Sequence, residues 1–350
     1  MRIAQIAPLH EAVPPKLYGG TERVVSFLTE ELVAMGHDVT LFASGDSITK
    51  ARLIPAWPQA LRLDPTIRDA LAPHMLLMEE VYRLADEFDI LHFHNDYFPA
   101  SLFSRQPVPF VTTLHGRLDL GELNPVYAGL PQQNLVSIST SQRRPLPEGN
   151  FIGTVHHGLP ADLLRPMPVA QDYVAFLGRI CPEKRPDRAI RIAAGAGETL
   201  RLAAKVDRVD AEYFSTQIEP MLGAGATLIG EIGDAAKSAF LSGAKALLMP
   251  IDWPEPFGLV MIEAMACGTP VIAYNHGSVP EIIEDGVTGF IVDNENEAIE
   301  ALKRIHTLDR NAVRARFEER FSARRMAQDY LDLYESLVAV EPQRRLALVR

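Results

Sequence analysis

The chain has 350 residues, 47% of them hydrophobic and 23% charged, the usage of an ordinary folded protein with room for two domains of roughly 100 to 200 residues each. Its 45 acidic against 34 basic side chains give a net charge of −11, which repels polyanions and excludes a protein whose main task is to coat nucleic acid. Two cysteines far apart, Cys181 and Cys267, exclude a disulfide framework or a thiol-based zinc motif and fit a reducing, cytoplasmic setting.

Residues 2–7 read as a strand, followed by a polar, Pro-rich loop over 10–18, then Gly19-Gly20, then a helix. In that helix Val24, Val25, Leu28, Leu32 and Met35 recur at three- and four-residue steps, with Thr21 as N-cap and Gly36 as the stop. A strand over 38–43 completes a βαβ unit, which predicts a parallel sheet with a right-handed crossover; residues 89–94 and 109–114 read as further buried strands. The pattern restarts near Tyr173. Strands are expected over 173–177, 200–204, 226–229, 246–249, 270–273 and 290–292, with helices from about Asp187 and over 258–267. Pro160, Pro166 and Pro168 mark a stiff linker, so the expected division is 1–165 and 166–320, with a final helix over 321–350 packing back on the first domain. The opening apolar run is too short for a signal peptide, and no uncharged run of about 18 residues occurs, so no membrane-spanning segment is expected. The tail from Arg344 to Arg350 reads either as a solvated basic end or as a peripheral contact with anionic lipid.

Several stretches carry chemistry. Gly19-Gly20 lies where a first βα loop lets backbone amides approach an anion at the positive end of a helix; the alternative is a plain turn. The loop has neither G-x-G-x-x-G nor G-K-[ST], which argues against a dinucleotide dehydrogenase or a P-loop enzyme. Gly178-Arg179 through Lys184 places two fixed cations after a strand and before a helix, suited to neutralising a diphosphate leaving group; the alternative is a solvated turn with surface pairs such as Glu183 with Arg185. In the segment from Trp253 to Ala273, Glu255 lies in a loop held by Pro256 and Gly258, and Glu263 lies roughly 7.5 Å along the following helix. The two acids therefore address different parts of one long ligand, and Glu263, amid apolar neighbours, needs a partner: a ribose diol or a structural Arg. His115 follows a buried strand and is placed to bond a sugar hydroxyl or assist an acceptor, unless it is a satisfied structural residue. His92 and His94 are expected to face opposite ways or diverge, and His156-His157 are adjacent, so no metal site is expected; His94, Asn95, Asp96 and Arg117 read as acceptor-side polar groups.

Together these stretches resemble the retaining GT-B glycosyltransferases of family 4 over nearly the whole chain. The family's E-x7-E element is matched by Glu255 and Glu263, its G-R-x-x-x-E-K element by Gly178, Arg179, Glu183 and Lys184, and a later glycine-rich motif by residues 277–290. The resemblance implies an α/β GT-B fold, two Rossmann-like domains around an interdomain cleft, with acceptor on the first and nucleotide sugar on the second, no obligatory metal or other cofactor, and retention at the anomeric carbon. It implies that Arg179 and Lys184 hold the diphosphate with amides near Gly19 and Gly20. Glu263 would bind ribose, Glu255 with Phe257, Gly258 and Leu259 the sugar hydroxyls, and His115 the sugar from the other domain. Lys205 to Asp207 and Gly230 to Ile232 would meet the base. UDP-glucose is taken as the donor, and His115, Arg179, Lys184 and Glu255 as the catalytic set. The chain departs from the family at His157-Gly158-Leu159-Pro160, where Asn-Gly-Val-Asp is usual, at Arg185, where Gly is usual, and at residues 203–207, where Gly-x-Gly is commoner. A nucleotide-sugar epimerase, a sugar phosphorylase, a glycoside hydrolase using the two glutamates, or a non-enzymatic nucleotide-sugar sensor are the alternatives.

Overall fold

The computed structural model describes residues 1–16 and 19–348, with side chains described to residue 339. The chain divides into two compact units, Met1–Gly158 together with the helix from Ala323 onward, and Leu159–Ser322.

The first unit is built on a seven-stranded sheet. Its strands are β1 (Arg2–Ile6), β2 (Asp38–Ser44), β3 (Arg52–Trp57), β4 (Ile90–Phe93), β5 (Phe110–Thr113), β6 (Leu135–Ser137) and β7 (Phe151–Thr154), in the order β3-β2-β1-β4-β5-β6-β7 with every pair parallel. Helix α1 (Gly20–Ala34) buries Val24, Val25, Leu28 and Leu32. It starts at Gly20, so Thr21 lies inside the first turn and is not the N-cap; the acidic side chain favoured by the helix dipole is supplied there by Glu22. Ala4 and Ile6 of β1 pack with Leu77, Met78 and Val81 of α2 (Leu71–Leu84). Strand alternation turns Gln5 to the opposite face.

In the second unit β8 (Tyr173–Arg179), β9 (Leu200–Lys205), β10 (Ala226–Gly230), β11 (Ala244–Met249), β12 (Val271–Tyr274) and β13 (Gly289–Val292) form a parallel sheet in the order β10-β9-β8-β11-β12-β13. Its helices include α3 (Pro186–Gly195), α4 (Asp234–Ser242), α5 (Leu259–Ala266), α6 (Glu295–Lys303) and α7 (Arg310–Arg320). In both sheets the winding reverses once, between β1 and β4 and between β8 and β11. In doubly wound sheets ligands bind beyond the carboxyl ends of the strands at such a reversal. These two Rossmann-like units make the GT-B fold.

The last helix, α8 (Ala323–Leu348), belongs to the first unit, where Met326, Ala327, Tyr330, Leu331 and Tyr334 are buried at helical spacing. The change of unit after Gly158 precedes the proline-rich stretch expected to be a linker. That stretch is anchored to the second unit: Arg314 of α7 donates to the carbonyls of Ala161 and Leu164, and the amides of Arg165 and Met167 donate to Ser238 and Ser242. The expected lipid contact of the tail falls on side chains outside the described residues. Among the described residues no helix is long and apolar enough to cross a membrane.

Candidate functional site

At the reversal point of the second sheet, β8 ends at Gly178 and Arg179, and Arg179 is in register with Lys205 at the end of β9. Two cations therefore leave neighbouring parallel strands side by side. Both are held by carboxylates: Arg179 lies 3.6 Å from Asp210, 3.7 Å from Asp207 and 4.0 Å from Glu183, and Lys205 lies 2.9 Å from Asp207. Lys184 closes the short turn Pro182–Lys184 and donates to Glu255, which has come from the loop after β11. The Trp253 indole donates to the same carboxylate at 3.1 Å, and the Lys184 ammonium lies 5.0 Å from the centre of that ring. The turn thus brings together a cation and an acid that are 71 residues apart in sequence.

Arg185 explains the usual glycine at its position. Its φ is +51°, in the left-handed region, at a cost of roughly 1–2 kcal/mol for a residue with a Cβ. Its guanidinium is bidentate on Asp187, at 2.8 and 2.9 Å, and reaches Asp252 at 2.9 Å. Burial alone would raise the Asp187 carboxyl; the hydrogen bonds and charge of Arg185, with Tyr213 and Arg191, outweigh it and hold the group at about 2. The anticipated pairing of Glu183 with Arg185 is not made, because Arg185 turns toward Asp187 and Asp252.

The loop carrying Glu255 is clamped from outside. The Ser278 amide donates to the Glu255 carbonyl at 3.0 Å, and its hydroxyl donates to the Phe257 carbonyl at 2.7 Å. Gly277 has φ +60°, and a Cβ there would stand 2.4 Å from both the nitrogen and the oxygen of Glu255, so only glycine fits. Gly258, at φ +80°, turns the chain into α5, which opens at Leu259. Glu263 is 4% exposed, and its partner is neither an Arg nor left open: Lys237 of α4 donates to it at 2.6 Å. Phe257 is buried against Phe321, and Ile232 is half-buried in the loop between β10 and α4.

In the first unit, the reversal point between β1 and β4 is filled by imidazoles. His92 and His94 lie on the same face of β4, ring centres 4.1 Å apart, contrary to the expected divergence: residues two apart on a strand share a face. His94 Nε2 lies 2.9 Å from Gln5 Oε1, and its Nδ1 lies 2.8 Å from His115 Nε2. Both ring nitrogens of His94, read from the sequence as an acceptor-side polar group, are therefore engaged within the protein. His115 stacks on His157, centres 5.3 Å apart, and its Nδ1 is buried with no protein partner among the described residues. Burial pushes the His115 imidazole down to about 3, and holds His92, His94 and His157 well below their ordinary value, so all four are neutral at physiological pH.

Asn95 is 3% exposed, and neither amide atom has a partner among the described residues; Asp96 follows at the surface with φ +49°. Arg117 is exposed and bidentate on Asp119, at 2.7 and 2.8 Å. Gly19 and Gly20 open α1, where the carboxyl of Glu22, pushed up by burial, already lies in the first turn. Among the described residues no three His, Cys, Asp or Glu side chains are grouped to hold a metal ion.

Family comparison matches residues 166–323 to the glycosyl transferases group 1 and residues 18–137 to Glycosyltransferase Family 4. The two matched stretches are those of a group 1 glycosyltransferase. It is 28% identical to the D-inositol 3-phosphate glycosyltransferase of Acidothermus cellulolyticus over 80% of this chain and 76% of that protein. The protein of the same name from Mycobacterium avium strain 104 is 35% identical, but over 40% of this chain and 37% of its own length. Among solved structures, sucrose-phosphate synthase from Thermosynechococcus elongatus superposes with a TM-score of 0.79 at 20% identity, covering 97% of this chain and 100% of that one. Anabaena HepE in complex with UDP and glucose gives 0.74 at 19% identity, covering 96% and 100%. In this transferase the group 1 stretch contains Arg179, Lys184, Glu255 and Glu263, and the family 4 stretch contains His94 and His115. Gln5, Tyr330 and Tyr334 lie outside both. Sequence reasoning missed those three and Lys237, which carry no motif; a Gln inside an otherwise apolar strand was the one available signal.

Proposed function

We propose that the chain moves a hexosyl group from UDP-glucose to a hydroxyl acceptor, with retention of anomeric configuration. The observation that carries this reading is the gathering of Arg179, Lys184, Lys205 and Glu255 at the carboxyl edge of the second sheet. Fixed cations at that edge suit a diphosphate, and a carboxylate beside them suits sugar hydroxyls.

The bond between the anomeric carbon and the β-phosphate oxygen breaks while the acceptor oxygen attacks the same face, and the acceptor proton passes to the departing phosphate. Arg179 and Lys184 neutralise the charge that develops on the diphosphate, so the reaction calls for no obligatory metal. The Lys184–Glu255 pair fixes the ammonium before the donor arrives, and Glu255 accepts from sugar hydroxyls with its remaining lone pairs. Glu263 accepts from the ribose diol, His115 meets a sugar or acceptor hydroxyl, and Arg117 serves the acceptor side. The UDP and glucose named with HepE support the donor, and the relatives named as glycosyltransferases of a sugar-like alcohol support a hydroxyl acceptor. The two buried free cysteines accord with work in the cytoplasm.

Calorimetric titration of UDP-glucose, GDP-mannose and ADP-glucose tests the reading. Micromolar binding of UDP-glucose, abolished in Arg179→Ala, is the expected result. Binding of GDP-mannose or ADP-glucose instead would overturn the donor but keep the transferase; binding of none would overturn the diphosphate site. Lys184→Ala lowers kcat by about a hundredfold or more if its charge stabilises the leaving group, and an unchanged kcat would remove it from that role.

A further inference from the structure

We propose that Gln5 and Tyr334 are positioning residues that fix His115 in a single tautomer, protonated on Nε2, so that its buried Nδ1 presents a lone pair to a ligand hydroxyl. An unbroken line of hydrogen bonds, all in the first unit, joins His115 to Tyr330 through His94, Gln5, Tyr334, His92 and Thr113. Gln5 is fully buried and stands opposite His92 in the adjacent strand. Its Oε1 lies 2.9 Å from His94 Nε2, and its Nε2 lies 3.1 Å from the Tyr334 hydroxyl of α8. An amide oxygen only accepts, so His94 carries its proton on Nε2. A neutral imidazole has one donor and one acceptor, so His94 Nδ1 accepts, and His115, 2.8 Å away, donates from Nε2. His115 Nδ1 is then bare, and it is the ring nitrogen left with no protein partner.

The other arm sets the direction. Tyr334 accepts from the Gln5 amide and donates to His92 Nδ1 at 2.6 Å; His92 Nε2 donates to Thr113 at 2.8 Å, and Thr113 donates to Tyr330 at 2.9 Å. Rotating the Gln5 amide by half a turn would reverse every bond and leave all three imidazoles protonated on Nδ1. The lengths at the Tyr334 hydroxyl favour the first direction. N–H donors give about 2.9–3.0 Å and O–H donors about 2.7–2.8 Å. The 3.1 Å contact accords with an amide donating to the phenol and the 2.6 Å contact with the phenol donating onward, while the 2.8 Å contact of His92 with Thr113 fits either donor. The low proton affinity of these buried rings keeps each of them neutral, as the scheme requires. Either way the three tautomers are tied: His92, His94 and His115 match, and the glutamine sets which form they take.

That a sugar or acceptor hydroxyl donates to His115 rests on the transferase reading above; the tautomer itself does not. Long-range ¹⁵N–¹H correlation on the full chain labelled in histidine, without ligand and at neutral pH, reads each ring directly. The expected spectrum shows His92, His94 and His115 all with a protonated Nε2 and a bare Nδ1. In Tyr334→Phe the amide loses its anchor, and His115 is expected to show both tautomers; circular dichroism reports whether that variant folds, and the wild-type spectrum stands as a test without it. Mixed tautomers among the three rings, a common Nδ1–H form, an imidazolium at neutral pH, or an unchanged His115 signal in folded Tyr334→Phe would each overturn the proposal. Absence of donor binding would overturn the transferase reading and leave the spectrum to decide this one.

Discussion

Replacing Lys237 by methionine keeps most of the side chain's volume and removes the cation that faces Glu263. The carboxylate is 5% exposed and the ammonium 12%, so water cannot take over the contact at little cost. Breaking a buried pair by deleting one member costs about 3–5 kcal/mol, because the charge left behind stays buried. For a unit of this size each kcal/mol moves the melting temperature by about 2–4 °C, which places the fall at about 6–20 °C. Adding Glu263→Gln replaces the stranded charge with a neutral amide and recovers most of the loss, so the two changes are strongly non-additive. Thermal unfolding of the two single variants and the double variant completes the cycle. A Lys237→Met protein that melts with the wild type, or a double variant as unstable as the sum of its parts, would refute the reasoning. The same set separates the two uses of Glu263: a diol donates to the carboxylate as the ammonium does, so UDP-glucose still binds Lys237→Met and fails to bind Glu263→Ala.

Asp187 gives a pH dependence. Its folded-state value of about 2 lies below the ordinary 3.8, so its contribution of about 2 kcal/mol is complete above the ordinary value and is lost as pH falls through about 2. In urea unfolding, Asp187→Asn should lose that amount at neutral pH, with the gap from wild type closing in acid; a gap independent of pH would remove the pair with Arg185 as its cause. Gly277→Ala forces a left-handed alanine against the Glu255 backbone, for about 2–4 kcal/mol of strain and overpacking, and should weaken UDP-glucose binding more than tenfold by calorimetry. Unchanged affinity would mean that the clamp does not set the position of Glu255.

The two βαβ series were legible because buried strands and amphipathic helices alternate with clear periods. Three strands of the first sheet were not. β3 contains Pro55 and lies half-buried at the sheet edge, β6 has three residues, and β7 is another half-buried edge, so none presents a strong apolar run. In the site, motif spacing placed Arg179, Lys184 and Glu255 in the chain, and the structure added that Lys184 and Glu255 meet. The partners of Gln5, Lys237 and Tyr334 were beyond reach because they are 329, 26 and 242 residues away, and nothing local says which residue a buried polar group meets at such separations. His92 and His94 were open to correct reading, since period-two geometry by itself puts them on one face.

The return of α8 to the first unit bears on how the molecule is made. Chains generally fold domain by domain from the amino end as they leave the ribosome. Here a nascent chain that has delivered Ser322 holds every residue of the second unit, whereas the first still lacks Tyr330 and Tyr334, and with them the phenols that satisfy Gln5, His92 and Thr113. The unit begun first is closed last. Loss of the final helix through a premature stop would therefore strike the amino-terminal sheet, at the far end of the message from the lesion.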